Sequence, residues 1–130
     1  MRVVFDTNIF ISAFIIPGSL AETAIKKVIE GQDTLVISKE IIKEVLSVFS
    51  HKFRRDKEAI SHVAVFLSEL GEWVSPTKKI NIFKDEPDNR IMECALSGEA
   101  DVIVTGDKRM LKLKEYKGVR IISLKEYLGS

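Results

Sequence analysis

Arg2-Val3-Val4-Phe5-Asp6-Thr7-Asn8 is the stretch on which the fold turns. Val3, Val4 and Phe5 make a short apolar run of the kind that forms a buried strand, and it stops abruptly on a carboxylate, Asp6. In open sheets of parallel strands, ligands bind in the crevice beyond the carboxyl ends of the strands. Asp6 therefore stands where such a sheet would carry its chemistry, and the rest of the chain decides whether other acids join it.

Beyond this run, short apolar segments alternate with helical patterns. Ser19 precedes Leu20, Ala21, Ala24, Ile25, Val28 and Ile29, with Glu22 three residues after the serine and Gly31 beyond the end, the pattern of a capped helix. Leu35, Val36 and Ile37 read as a second strand, after which Ser38 opens a helix carrying Ile41, Ile42, Val45, Leu46, Val48 and Phe49. Asp56 opens another, running through Ile60, Val63, Ala64, Leu67 and Leu70 to Gly71. Trp73 and Val74 form a third strand closed by Pro76, with Trp73 and Phe66 read as core because each lies in an apolar pattern. Pro76 to Pro87 reads as an exposed loop, Val102 to Val104 as a fourth strand, Arg120 to Ile122 as a fifth, and Ser123 with Glu126 as the start of a last capped helix. Short Val- and Ile-rich strands separated by helices predict an α/β fold with a parallel sheet covered on both faces.

The 130 residues, 45% of them hydrophobic, fit one domain over 1–130. No apolar run approaches the ~18 residues of a membrane span, and the start lacks the apolar core of a signal peptide, so a cytoplasmic protein without membrane attachment is expected. The lone Cys94, set among Ile91, Met92, Ala95 and Leu96, excludes an internal disulfide and reads as a small buried thiol. Net charge is +1, from 20 basic against 19 acidic residues, so bulk charge does not announce a nucleic-acid binder. Distribution could: with four acids withdrawn into a cation-filled pocket, 20 basic residues face 15 acidic ones, and the rim becomes positive.

Asp6 has candidate companions. Asp88 follows Glu86 and Pro87 and opens the helix containing Ile91, Met92, Ala95 and Leu96, while Asp107 lies just past the fourth strand after Thr105 and Gly106. Both fall at the same predicted sheet edge as Asp6, yet both also stand where helix N-caps stand, and an aspartate there is most often only a cap. Glu44 is the fourth candidate, because at ~100° per residue it borders the apolar face of its helix beside Ile41 and Val48, whereas Lys43 points away. Glu40 lies further from that face and is better placed to favour the helix N-terminus.

Gathered carboxylates repel one another unless a cation neutralises them, and hard cations such as Mg²⁺ and Mn²⁺ take oxygen ligands of this kind. Such a cation lowers the pKa of water, orients it for in-line attack on a phosphodiester and stabilises the leaving oxygen; two cations could divide those tasks. His51 and His62 are isolated and offer no competing ligand set.

Asp6-Thr7-Asn8 after a first strand, Glu44 on the helix after the second, Asp88 in DEPDNRIMECA and Asp107 in ADVIVTGDKRML resemble, in order and spacing, the four acidic positions of the PIN domain nucleases. The closing segment is the most specific, and it is similar to bacterial and archaeal PIN proteins regarded as toxins of toxin-antitoxin pairs. The resemblance implies a three-layer α/β/α sandwich with a parallel sheet in the order 3-2-1-4-5. It implies Mg²⁺ or Mn²⁺ held by Asp6, Glu44, Asp88 and Asp107, with Asn8 and Thr105 orienting ligands, water or phosphate behind them. Asp85 replaces Asp88 if that helix begins earlier, and Asp101, at the entry to its strand, is too distant from Asp107 to substitute. The activity implied is metal-dependent endoribonuclease cleavage of single-stranded RNA, with a small antitoxin as partner and a homodimer as the assembly.

The segment His51 to Lys57, HKFRRDK, is either a solvated helix junction or, if it flanks the acids, a phosphate grip made of Lys52, Arg54 and Arg55. Lys108 and Arg109 beside Asp107 are further candidates; such contacts position a strand without reading its sequence. A different class of reading is a catalytically silent module that binds RNA or protein on the same fold. An aspartate-nucleophile phosphatase also places an Asp after its first strand but expects a second Asp two residues later, where this chain has Asn8.

Overall fold

A computed structural model describes residues 1–129. The first strand is β1 (Arg2–Phe5), followed by α1 (Thr7–Ile15), α2 (Leu20–Ile29), β2 (Thr34–Ser38), α3 (Lys39–His51), α4 (Lys57–Leu70) and β3 (Glu72–Val74). Then come α5 (Glu86–Ser97), β4 (Val102–Val104), α6 (Lys108–Leu113), β5 (Glu115–Tyr116), β6 (Val119–Ile122) and α7 (Leu124–Gly129). The sheet order is β3-β2-β1-β4-β6-β5, parallel throughout except for the β5–β6 pair. The expected order 3-2-1-4-5 is thus present, its fifth strand being β6, with β5 added as an antiparallel edge.

Successive residues of a strand point to opposite faces, so a strand buried along its length must be covered on both sides. Val3, Val4 and Phe5, Leu35 to Ser38, and Val102 to Val104 are all buried, which makes the fold a sandwich with helices on either face. The sequence's capping signals are realised as hydrogen bonds. Ser19 Oγ accepts from the Glu22 amide at 3.2 Å, Ser38 Oγ from Ile41 at 3.3 Å, and Asp56 Oδ1 from Ala59 at 2.8 Å. Where α5 ends, Gly98 lies against β2: a Cβ there would stand 2.3 Å from Val36 Cγ1, closer than any side chain allows.

Three elements depart from expectation. Helix α1 follows immediately on β1, although its sequence, TNIFISAFI, is rich in β-branched and aromatic residues that favour strands. Burial overrides propensity there, since Ile9, Phe10 and Ile11 are packed into the core, and the helix stops at Ile16 because the next residue is Pro17. The β5–β6 hairpin turns on Lys117 and Gly118, both at positive φ (48° and 87°), the conformation of a two-residue turn whose twist matches the strands. Trp73 is corrected from core to surface: β3 is an edge strand, the ring is 47% exposed, and its indole N–H donates to the Ser68 carbonyl at 3.0 Å. Phe66 is half-buried, edge-on to Phe14 at 5.6 Å. Among the described residues no single helix is long and apolar enough to cross a membrane.

Candidate functional site

Parallel strand order delivers the acids to one place. Asp6 follows β1 and Asp107 follows β4, its neighbour, so both emerge at the same carboxyl edge. Helix α5 begins over that edge, with Asp85 as its N-cap residue and Asp88 in its first turn. One carboxylate oxygen from each of Asp85, Asp88 and Asp107 lies within 4.8 Å of the others, close enough for a single cation to take an oxygen from all three. Asp6 joins the group through Thr105. The buried Thr105 hydroxyl donates to Asp6 Oδ2 at 2.6 Å and accepts the Asp107 amide at 3.0 Å, fixing the two strand ends against each other.

These aspartates occupy cap positions, but most do not cap. Asp6 and Asp85 precede α1 and α5 without a side-chain capping bond, and Asp88, expected to open its helix, is the third residue of its first turn. Asp107 alone among them caps, accepting the Arg109 amide on Oδ1 at 2.8 Å. The carboxylates of Asp6, Asp85 and Asp88 are therefore not spent on helix caps. Helix N-termini offset part of their mutual repulsion.

Burial and neighbouring negative charge act together on two of the acids. Asp88 is pushed from an ordinary value of 3.8 up to about 6, first by burial, then by the charges of Asp6, Asp107 and Asp85, with Arg109 pulling the other way. Asp6 is also raised, by burial foremost; the Thr105 hydrogen bond lowers it, Asp107 raises it further, and the amides of Thr7 and Asn8 pull it back. Arg109 is the compensating charge: its Nη2 stands 3.0 Å from Asp85 Oδ2 and its Nε 3.9 Å from Asp107 Oδ1.

The other sequence candidates sit around this group at varying distance. Glu44 is half-buried in a cleft of about 150 Å³ lined by Thr7, Glu40, Glu86 and Arg90, on the flank of the cluster beside the residue that follows Asp6. It is not within the tight group formed by the three aspartates. Glu40 lies in the first turn of α3, as its spacing suggested. Asn8 is exposed on the first turn of α1. Asp101 accepts the Arg2 amide at 2.8 Å at the opposite end of the sheet, far from Asp107. Lys108 is exposed at the start of α6. Lys52, Arg54 and Arg55 are exposed at the junction of α3 and α4, Lys52 capping α3 about 12 Å along the helix from Glu44 at 1.5 Å per residue. No ion pair joins them to the acids among the described residues. Cys94 is fully buried and its thiol is pushed up to about 12 by burial, as expected of an inert core residue.

A supporting layer holds α5 in place and was not legible as function. Buried Asn89 accepts the Ile82 and Phe83 amides on Oδ1 at 3.0 and 2.8 Å and donates back to the Phe83 carbonyl at 2.8 Å. Glu93 accepts the Ile80 amide at 2.8 Å and Arg90 Nη2 at 2.9 Å. Together they peg the segment before α5 onto the helix that carries Asp85 and Asp88. The available signal was two polar residues four apart on an otherwise apolar helix face.

All donors at the site are carboxylate oxygens, a set suited to a hard divalent cation and unsuited to thiolate-seeking metals. Among solved structures, the fold is similar to VapBC2 from Rickettsia felis bound to a DNA fragment from its promoter (TM-score 0.67, 16% identity, covering 95% of this chain and 98% of that one). It is equally similar to VapBC-1 from nontypeable Haemophilus influenzae (TM-score 0.67, 18% identity, covering 96% and 99%). An uncharacterized protein of Methanocaldococcus jannaschii, MJ1680, is 31% identical over 119 residues, covering 88% of this chain and 76% of that protein. The family model for the PIN domain matches residues 2–109, a span that holds Asp6, Glu44, Asp85, Asp88 and Asp107. The chain belongs to the PIN domain family.

Proposed function

We propose that the protein is a divalent-metal-dependent endoribonuclease that hydrolyses phosphodiester bonds in single-stranded RNA, and that it is the toxin of a toxin-antitoxin pair. The observation that carries this reading is the meeting of Asp85, Asp88 and Asp107 within 4.8 Å, beside a buried Asp6 whose pKa burial raises. Carboxylates brought together at a sheet edge, with a strongly perturbed member among them, are the arrangement in which functional acids are found.

Asp85, Asp88 and Asp107 would hold Mg²⁺ or Mn²⁺, with Asp6 and Glu44 beside them binding it directly or through water. The ion supplies a lowered water pKa and charge neutralisation at the phosphate. The chain's own residues supply position. Thr105 holds Asp6 and the Asp107 backbone in fixed relation, Asn89 and Glu93 hold α5, and Asn8, exposed on the first turn of α1, would hydrogen-bond water or a phosphate oxygen. Lys108 and the Lys52-Arg54-Arg55 segment supply positive charge for the RNA backbone. The assembly proposed is a cytoplasmic homodimer that binds a small antitoxin, a partner suggested by the fold it shares with the VapBC proteins.

Purified wild type and Asp6→Asn, incubated with a mixed RNA pool and Mg²⁺, Mn²⁺ or EDTA, test this reading. Cleavage by wild type with metal, absent in EDTA and in Asp6→Asn, is the expected result. RNA binding without metal-dependent cleavage would instead mark a silent binding module.

A further inference from the structure

Arg109 was expected to grip phosphate, but its contacts are with the acids. Among the described ion pairs, it is the one cation bonded to members of the cluster, Nη2 to Asp85 at 3.0 Å and Nε to Asp107 at 3.9 Å. Lys108, its neighbour in sequence and equal in charge, forms no such pair. We propose that Arg109 is a built-in counter-cation of the carboxylate cluster: it holds Asp85 and Asp107 in the metal-free protein and leaves them when a divalent ion binds. This rests on the metal-binding reading above and adds the element that sets metal affinity.

Three features make the exchange feasible. The Arg109 side chain is 66% exposed and that of Asp85 49%, so separating them uncovers little apolar surface and breaks a pair already screened by solvent. The Arg109 backbone is held by its own amide, which donates to Asp107 Oδ1 at 2.8 Å without involving the guanidinium, so the side chain can swing away while the start of α6 keeps its cap. Finally, a guanidinium and a divalent ion compete for the same negative charge, and the oxygens Arg109 approaches belong to two of the three residues that could share a cation. The protein therefore carries its own neutralising charge when no metal is present, which softens the repulsion that folding the cluster demands, at the expense of metal affinity.

Mn²⁺ titration calorimetry on wild type, Arg109→Gln and Lys108→Gln, with melting curves of each in EDTA, tests the proposal. Arg109→Gln should bind Mn²⁺ about twofold to fivefold more tightly than wild type, the fold-change that losing one exposed competing ion pair corresponds to. It should also melt lower in EDTA, because the repulsion is then uncompensated. Lys108→Gln should alter both much less. Equal or weaker Mn²⁺ binding by Arg109→Gln overturns the proposal, as does an equal tightening in Lys108→Gln, which would reduce the effect to general surface charge. If wild type itself takes up no Mn²⁺ at millimolar concentration, the metal-binding reading fails and this inference falls with it.

Discussion

Two ends of the same sheet use aspartate in opposite ways. At the amino end of β2, Asp33 has a side chain only 8% exposed, yet every charge on it is answered. The Met1 amine lies 2.8 Å from Oδ1, the Tyr127 hydroxyl donates to Oδ2 at 2.5 Å, and Lys27 Nζ stands 3.5 Å away, over the Tyr127 ring. Burial raises the Asp33 pKa, but the hydrogen bonds from the amine and Tyr127 and the charge of Lys27 outweigh it, so the net shift is downward. At the carboxyl end, Asp6 and Asp88 shift upward because burial is joined by more negative charge. Neither the residue type nor the degree of burial distinguishes the two ends; the partners do. A carboxylate whose partners satisfy it is a fastening, whereas carboxylates that face one another with Arg109 as their paired cation form the cation site proposed above.

The sharpest way to break this contrast is by substitution. Asp6→Asn should reduce RNA cleavage by a factor on the order of 10² or more, since even supporting residues of metal sites cost 10- to 100-fold. Asp33→Asn should leave cleavage per folded molecule unchanged, as assayed on the same RNA pool. Stability should move the other way. Asp33→Asn should lose about 1–3 kcal/mol in urea unfolding, as partners of a buried charge go unpaired. In EDTA, Asp6→Asn and Asp88→Asn should be neutral or more stable by about 0.5–2 kcal/mol, because like charge is removed. A large loss in Asp88→Asn would place it among the fastenings.

Acid titration sharpens the same contrast by sign. For Asp88, the folded value of about 6 lies above the ordinary 3.8, so the folded state prefers the proton. Its contribution is fully present below the ordinary value and is lost as pH rises through about 6. For Asp33, the folded value is depressed, so its contribution is present above the ordinary 3.8 and is lost as pH falls through the folded value. Melting temperatures in EDTA across this range should show Asp88→Asn removing the decline toward neutral pH, and Asp33→Asn removing the decline toward acid. Protons also compete with the metal at Asp88, so Mn²⁺ affinity should rise with pH up to about 7.

The smallest effect concerns the basic junction. Replacing Lys52, Arg54 and Arg55 together by Ala should flatten the salt dependence of RNA binding by about 0.7 of a slope unit for each phosphate no longer neutralised, with saturated turnover little changed. A wild-type slope would confine the RNA path to the neighbourhood of Lys108 and Asn8.

Much of this was legible in the chain. Strand positions and the convergence of Asp6 with Asp107 follow from apolar runs that lead into acids, because parallel strands put such ends at one edge, while the sheet order came from the resemblance to the PIN domain nucleases. What sequence could not show was how side chains pair across that edge. Asp85 read only as an alternative to Asp88, whereas the fold brings both to the cluster, since α5 begins one turn earlier than its apolar pattern indicates. Arg109 read as a free cation because charge pairing is a tertiary property. Helix α1 was hidden by strand-favouring residues, and Trp73 looked like core because periodicity does not reveal which strand lies at an edge.

The most direct test of the central claim is a crystal structure determined with Mn²⁺, with an anomalous difference map. The account predicts a peak among the carboxylates of Asp85, Asp88 and Asp107, beside Asp6, with Arg109 turned away from Asp85 and no peak beside Asp33. A well-ordered, peak-free cluster in which Arg109 still holds Asp85 would contradict it.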